Sequence, residues 1–166
     1  MTRTDNASAP DERSTVLSML TYVRETAIFK VRGLSEVGGH AAPVTTSPLT
    51  TPATILNHLR WVEYYWLHRV VLGEDIEAPW TEADPDAEMT QALTLTVDEV
   101  IAAYEAQIID SDAVIAGLEL DQPTVLPLSD SHPNVRWVLL HLLEETARHN
   151  GQLDLLRELA DGSVGA

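Results

Sequence analysis

VRWVLLHLLEETARHNGQLDLL, residues 135–156, is the stretch that decides the fold. Counted from Val135 in alternating steps of three and four, it yields Val135, Val138, Leu142, Glu145, His149, Gln152 and Leu156. Side chains at that spacing line up along one side of an α-helix. Both ends of the seam are aliphatic, as a core-facing stripe requires. Its centre is a carboxylate, an imidazole and an amide. A carboxylate turned toward a core costs several kcal/mol unless it is paired or metal-bound, so the centre calls for a partner.

Working outward, this helix runs from about Asn134 to Ala160 and stops at Asp161-Gly162. The three prolines in residues 119–133 mark a connector before it. A third helix is announced by Thr96 with Glu99 three residues on, a capping box, and carries Val97, Val100, Ile101, Tyr104, Ile108 and Val114. A second opens at Thr51-Pro52, follows the stripe Ile55, Leu59, Val62, Trp66 and Val70, and ends at Gly73. Between these two, residues 74–95 form a long crossover in which Asp84-Pro85-Asp86 starts one short helix. The first helix begins near Pro10, repeats Val16, Leu17, Leu20, Val23, Ala27 and Val31, and stops by Gly33. The connector at 34–50 is rich in Gly, Pro, Ser and Thr. Nothing alternates with period two. The expectation is all-α: a four-helix bundle over residues 10–163, with a flexible arm at 1–9 and one long crossover between helices two and three.

Composition narrows the function. Twenty-six acidic against 10 basic residues give a net charge of −16, which repels nucleic-acid backbones and anionic membranes. There is no cysteine, so disulfides, thiolate ligands and a cysteine nucleophile are excluded, and any thiol chemistry needs a thiol from outside. No apolar run approaches the ~20 residues of a membrane span, and the N-terminus lacks the apolar segment of a signal peptide. Cytoplasmic residence is expected.

Glu145 and His149, four residues apart, stand one above the other on the helix, a spacing that suits chelation of a divalent cation. His58 shares the inward stripe of the second helix and supplies a third donor. The set of two imidazoles and a carboxylate leaves a position open for water or substrate. The same residues also suit a buried hydrogen-bonded pair that fixes helix register. His141, four residues before Glu145, is a neighbour of this set. His68 reads as a surface histidine, and His40 and His132 sit in connectors. Glu63 either orients a ligand imidazole or belongs to a solvated face. Arg148 either binds an anionic substrate group or pairs with Glu144. Gln152 either meets a metal-bound water or completes hydrogen bonding in the bundle. Trp61, Tyr64, Tyr65, Trp66, Trp80 and Trp137 suit a core or a subunit interface better than a substrate box.

The segments HLRWVEYYW (58–66) and RWVLLHLLEETARHNGQ (136–152) resemble the second and last helices of the DinB/YfiT superfamily of metalloenzymes. The latter is similar to an actinobacterial branch that includes mycothiol-dependent maleylpyruvate isomerases and mycothiol S-transferases. The resemblance implies a metal, zinc or nickel, on His58, Glu145 and His149, with Arg148 and Gln152 at the cofactor. The broader family often has His where this chain has Glu145, and Arg where it has Asn150. Relatives in the branch often have His in place of Gln152. These departures spare the three metal positions and blur the substrate. The implied activity is S-transferase or isomerase chemistry with mycothiol, on an electrophilic small molecule, in a chain whose relatives are often homodimers. A metal-dependent hydrolase, with Glu63 or His141 as base, and a non-catalytic metal-stabilised binding module are the alternatives.

Overall fold

The computed structural model describes residues 10–164; the arm expected at 1–9 lies outside them. Among the described residues the regular structure is helical. Helix α1 (Glu12–Val31) starts where the Asp11 carboxylate accepts from the Ser14 N–H, and stops ahead of Gly33, which takes φ +80°. A single turn, α2 (Glu36–Gly39), lies in the expected connector. Helix α3 (Pro52–Tyr64) opens with a capping box between Thr51 and Thr54 and with Pro52 at the first position, where its missing N–H costs nothing.

Residues Tyr65–Val71 continue α3 as a π-helix, which periodicity alone does not announce. Its wider turns shift the stripe. Ile55, Leu59 and Val70 are buried as expected, but Leu67 and Val71 replace Trp66 in the core, and Trp66 is left half-buried. Gly73 closes the segment at φ +74°; a Cβ there would also stand 2.3 Å from the Val125 side chain. Residues 125 and 126 donate their backbone N–H groups to Val71 and Val70, strapping the last connector to this helix end.

The crossover holds the short helix α4 (Ala87–Ala92). Helix α5 (Val97–Ala116) has the expected Thr96–Glu99 capping box. Helix α6 (Val135–Asp161) is capped by Asn134 and ends on a left-handed Gly162. Helix α1 packs chiefly on α6, and α3 on α5.

The core is divided. One apolar cluster joins Ala27, Leu59, Val100 and Leu153; the other joins Leu20, Leu67, Ile115 and Leu142. On each long helix the chain passes from one cluster to the other through a polar stretch: Arg24 on α1, Glu63 on α3, Ser111 on α5 and Thr146 on α6. The middle of α6 corrects the expected seam. Thr146, Asn150 and Leu153 face the core, Glu145 and His149 are half-buried, and Gln152 is exposed. Measured round an ideal helix from Val135, Thr146 and Leu153 lie within about 20°, whereas Glu145 lies about 80° and Gln152 about 100° away. The seven-residue count drifts off the core, and the drift carries the polar trio to the bundle's flank.

Candidate metal centre

His58 and the pair Glu145 and His149 reach this flank from α3 and α6. One donor atom from each lies within 4.8 Å of the others. The two imidazole centroids are 4.9 Å apart, with planes at 69°. All three side chains are 14–23% exposed, sheltered without being sealed.

Each imidazole has its far nitrogen engaged. His149 Nδ1 lies 2.7 Å from Gln152 Oε1, an acceptor, so Nδ1–H donates there and the Nε2 lone pair is directed to the Glu145 side. Glu145 Oε2 is 3.5 Å from that Nε2, and its other oxygen receives Arg148 at 3.0 Å. His58 Nδ1 lies 2.5 Å from Glu88 Oε1, which leaves the His58 Nε2 as its free donor. An acceptor behind each imidazole fixes tautomer and ring orientation, as around bound metals. Burial lowers the pKa of His149, against the pull of the Gln152 hydrogen bond, and neighbouring His58 lowers it further.

The carboxylate on His58 is therefore Glu88, and the expectation for Glu63 is overturned. Glu63 is 1% exposed and bonds Arg24 at 2.8 and 2.6 Å and the Tyr104 hydroxyl at 3.0 Å; it neither orients a site imidazole nor faces solvent. Glu88 was missed because it lies on α4, in the crossover, where no periodicity links it to α3. Buried Asn57 makes the link, donating to the Glu88 carbonyl at 2.6 Å, and Trp61 Nε1 donates to Gln91 at 3.1 Å. An amide next to His58 in an otherwise apolar turn was the available signal.

Arg148 pairs with both Glu144 and Glu145, and the Glu144 hydrogen bond, with Glu145, raises its pKa. His141 stacks on Trp137 (centroids 5.2 Å, 17°) and meets Trp66 edge-on at 4.5 Å. With Glu144 and Glu145 it forms a second donor group of the same compactness. That group comes from one helix and its Glu144 is exposed and held by Arg148, so it is the weaker cation site. Asn150, which stands where the broader family has Arg, is buried and donates to the Val23 carbonyl at 2.9 Å, tying α6 to α1. His132 Nδ1–H donates to the Thr124 carbonyl at 2.8 Å, within its own connector.

Two cavities flank the donor set. One, of about 310 Å³, has His58 and Glu88 on its wall beside three tryptophans and a tyrosine. The other, of about 540 Å³, runs between α6 and the 44–50 connector and begins at Gln152.

Two imidazoles and one carboxylate with donor atoms within 4.8 Å, and open space beside them, form a group that could hold a single cation and leave room for its ligand. The mycothiol S-transferase family model matches residues 15–162, and the chain belongs to that family, in agreement with the DinB/YfiT-like resemblance. No curated protein matches the chain. Among the described residues no helix is long and apolar enough to cross a membrane.

Proposed function

We propose that this chain is a metal-dependent S-transferase that holds one divalent cation, zinc or nickel, on His58, Glu145 and His149 and uses mycothiol as its thiol. The observation that carries the reading is the convergence of three donors from two helices within 4.8 Å, with both imidazoles oriented from behind. The family match supports the thiol. When bound, the cation supplies positive charge that lowers the pKa of an adjacent thiol, so that thiolate is available near neutral pH.

The chain's own residues do the rest. Glu88 and Gln152 hold the two rings in register. Arg148 occupies one oxygen of Glu145 and leaves the other toward His149. We assign Arg148 and Gln152 to the thiol cosubstrate as well: both flank His149, and Gln152 borders the larger cavity, whose wall includes the Ser47 and Thr50 hydroxyls. The hydrolytic alternative loses Glu63 as its base, since that carboxylate is enclosed with Arg24.

The test is metal content by mass spectrometry on the purified protein and on His149→Ala, followed by electrophile consumption with and without mycothiol. One ion per chain, bound about 100-fold or more weakly in the variant, and turnover only with thiol are expected. Absence of metal from both proteins after reconstitution would sink the proposal. Turnover without thiol would favour hydrolysis, and metal-dependent melting without turnover would leave a binding module.

A further inference from the structure

The 310 Å³ cavity beside His58 is walled by Trp61, Tyr65, Trp66 and Trp80, with Glu88 at its side. These rings meet at steep angles. Trp61 and Trp80 stand 5.8 Å apart at 83°, Tyr65 and Trp80 6.0 Å at 64°, and Tyr65 and Trp66 6.0 Å at 87°. Edge-to-face packing of this kind sets the edge of one ring against the face of its partner and holds the rings at fixed angles around the space they border. Trp61 is buried at 9% exposure and Trp66 packs against the second apolar cluster, whereas Trp80 belongs to neither cluster. The expectation of core for these aromatics holds for Trp61 and Trp66, and the same rings also border the cavity.

The π-helical stretch builds two of the walls. It puts Leu67 into the core and turns Trp66 to the cavity, with Tyr65 at the mouth. Trp80 comes from the crossover, and α4, pinned to α3 by Asn57 and Trp61, keeps that side closed. Charge selects further. Glu88 is the only acidic or basic chain besides His58 on the wall. The Arg60 guanidinium lies over Trp61 at 4.6 Å and does not line the cavity. Apart from the cation proposed on the donor set, an anionic ligand would meet the Glu88 carboxylate and no Lys or Arg side chain on this wall.

From these walls we infer that the cavity is the subsite for the second substrate, and that it selects an uncharged, planar aromatic group of one or two rings. The volume is at the small end of ligand pockets, which suits a group of that size. The assignment of the group as a substrate rests on the transferase reading; the recognition itself does not. His58 joins the two, because it lines the cavity with one side of its ring and offers its free nitrogen to the donor set.

The experiment is calorimetric titration of the purified protein with 2-naphthol, its saturated counterpart decahydro-2-naphthol, and 2-naphthalenesulfonate. The same titrations are run on Trp80→Leu, which keeps an apolar side chain but removes a ring. 2-Naphthol is expected to bind, with the saturated and anionic analogues and the Trp80→Leu protein each about three- to tenfold weaker. Equal binding of the saturated analogue or an unchanged affinity in Trp80→Leu would overturn the inference. Binding of 2-naphthol to a protein that proves to hold no metal would keep this subsite and remove only the transferase reading.

Discussion

Two of the bundle's ionic clusters are built to opposite rules. Arg24, Glu63 and Tyr104 lie in the middle of the helices, each 2% exposed or less. The guanidinium meets both oxygens of Glu63 and reaches Asp112 at 2.8 Å, so charge and hydrogen bonds are answered inside the cluster. Burial opposes the Arg24 charge, but Glu63 outweighs it and the pKa rises; burial and Glu63 together push the Tyr104 hydroxyl well up. The His58, Glu145 and His149 cluster sits on the flank, and the Glu88 and Gln152 acceptors lie behind its rings, so that donor atoms of the three side chains face one another. The first cluster closes its hydrogen bonds on itself; the second, in the proposed function, turns its donors to a common cation.

The sharpest way to break that contrast is Glu63→Gln. It leaves the buried Arg24 charge with only the exposed Asp112 carboxylate as a partner, which costs about 3–5 kcal/mol. In a chain of this size that lowers Tm by roughly 6–20 °C. Thermal unfolding measures the loss, while metal content should stay at the parent value. Loss of the metal in a variant that is still folded would mean that the two clusters are coupled and the contrast is false.

A smaller effect is expected on the other side. Glu88→Ala should weaken metal binding about 10- to 100-fold, measured by competition with a chromogenic chelator, with Tm of the metal-free protein nearly unchanged. Glu88→Gln keeps an acceptor for the His58 Nδ1–H and should recover part of the affinity. If both variants bind metal like the parent, Glu88 is only a strut for α4. Gln152→Ala should cost less than about tenfold, because Gln152 is exposed and water can replace its oxygen behind His149.

What could be read beforehand follows the same division. Helix boundaries were legible because caps and stops are local chemistry: Thr51-Pro52, Thr96 with Glu99, Gly33 and Gly73 act within a few residues. The pair Glu145 and His149 was legible for the same reason, since four residues on one helix fix their relation. Glu63 was misread because nothing in its own helix shows that Arg24, 39 residues earlier, arrives opposite it. Glu88 was invisible because its position depends on how a crossover docks. The π-helix at Tyr65–Val71 escaped because a stripe read at the ordinary helical period does not register a local change of turn; the strap from residues 125 and 126 bonds to its end. Gln152 was misplaced by counting in sevens along a helix that turns every 3.6 residues.

The smallest effect concerns a third ionic group, which the sequence reading left as surface. His68 lies between Glu74 (Nδ1, 2.7 Å) and Asp110 (Nε2, 2.6 Å) and packs on the Tyr64 ring at 4.8 Å, clasping the end of the π-helix to α5. Burial pulls the imidazole pKa down, but the two carboxylates outweigh it and the pKa is raised. A folded-state pKa above the unfolded value of about 6.5 makes the clasp stabilising below that pH. Its contribution fades as pH rises through the folded value. The carboxylates are half-exposed, so the gain is about 1 kcal/mol or less. Urea unfolding of the parent and of His68→Gln should therefore differ most near pH ~5.5 and converge toward pH ~8.5. The comparison is made with a chelator present, so that acid loss of metal affects neither protein. A difference that does not change with pH would mean that His68 bridges as a neutral ring, and that this group, unlike Arg24 and Glu63, contributes no charge to the fold.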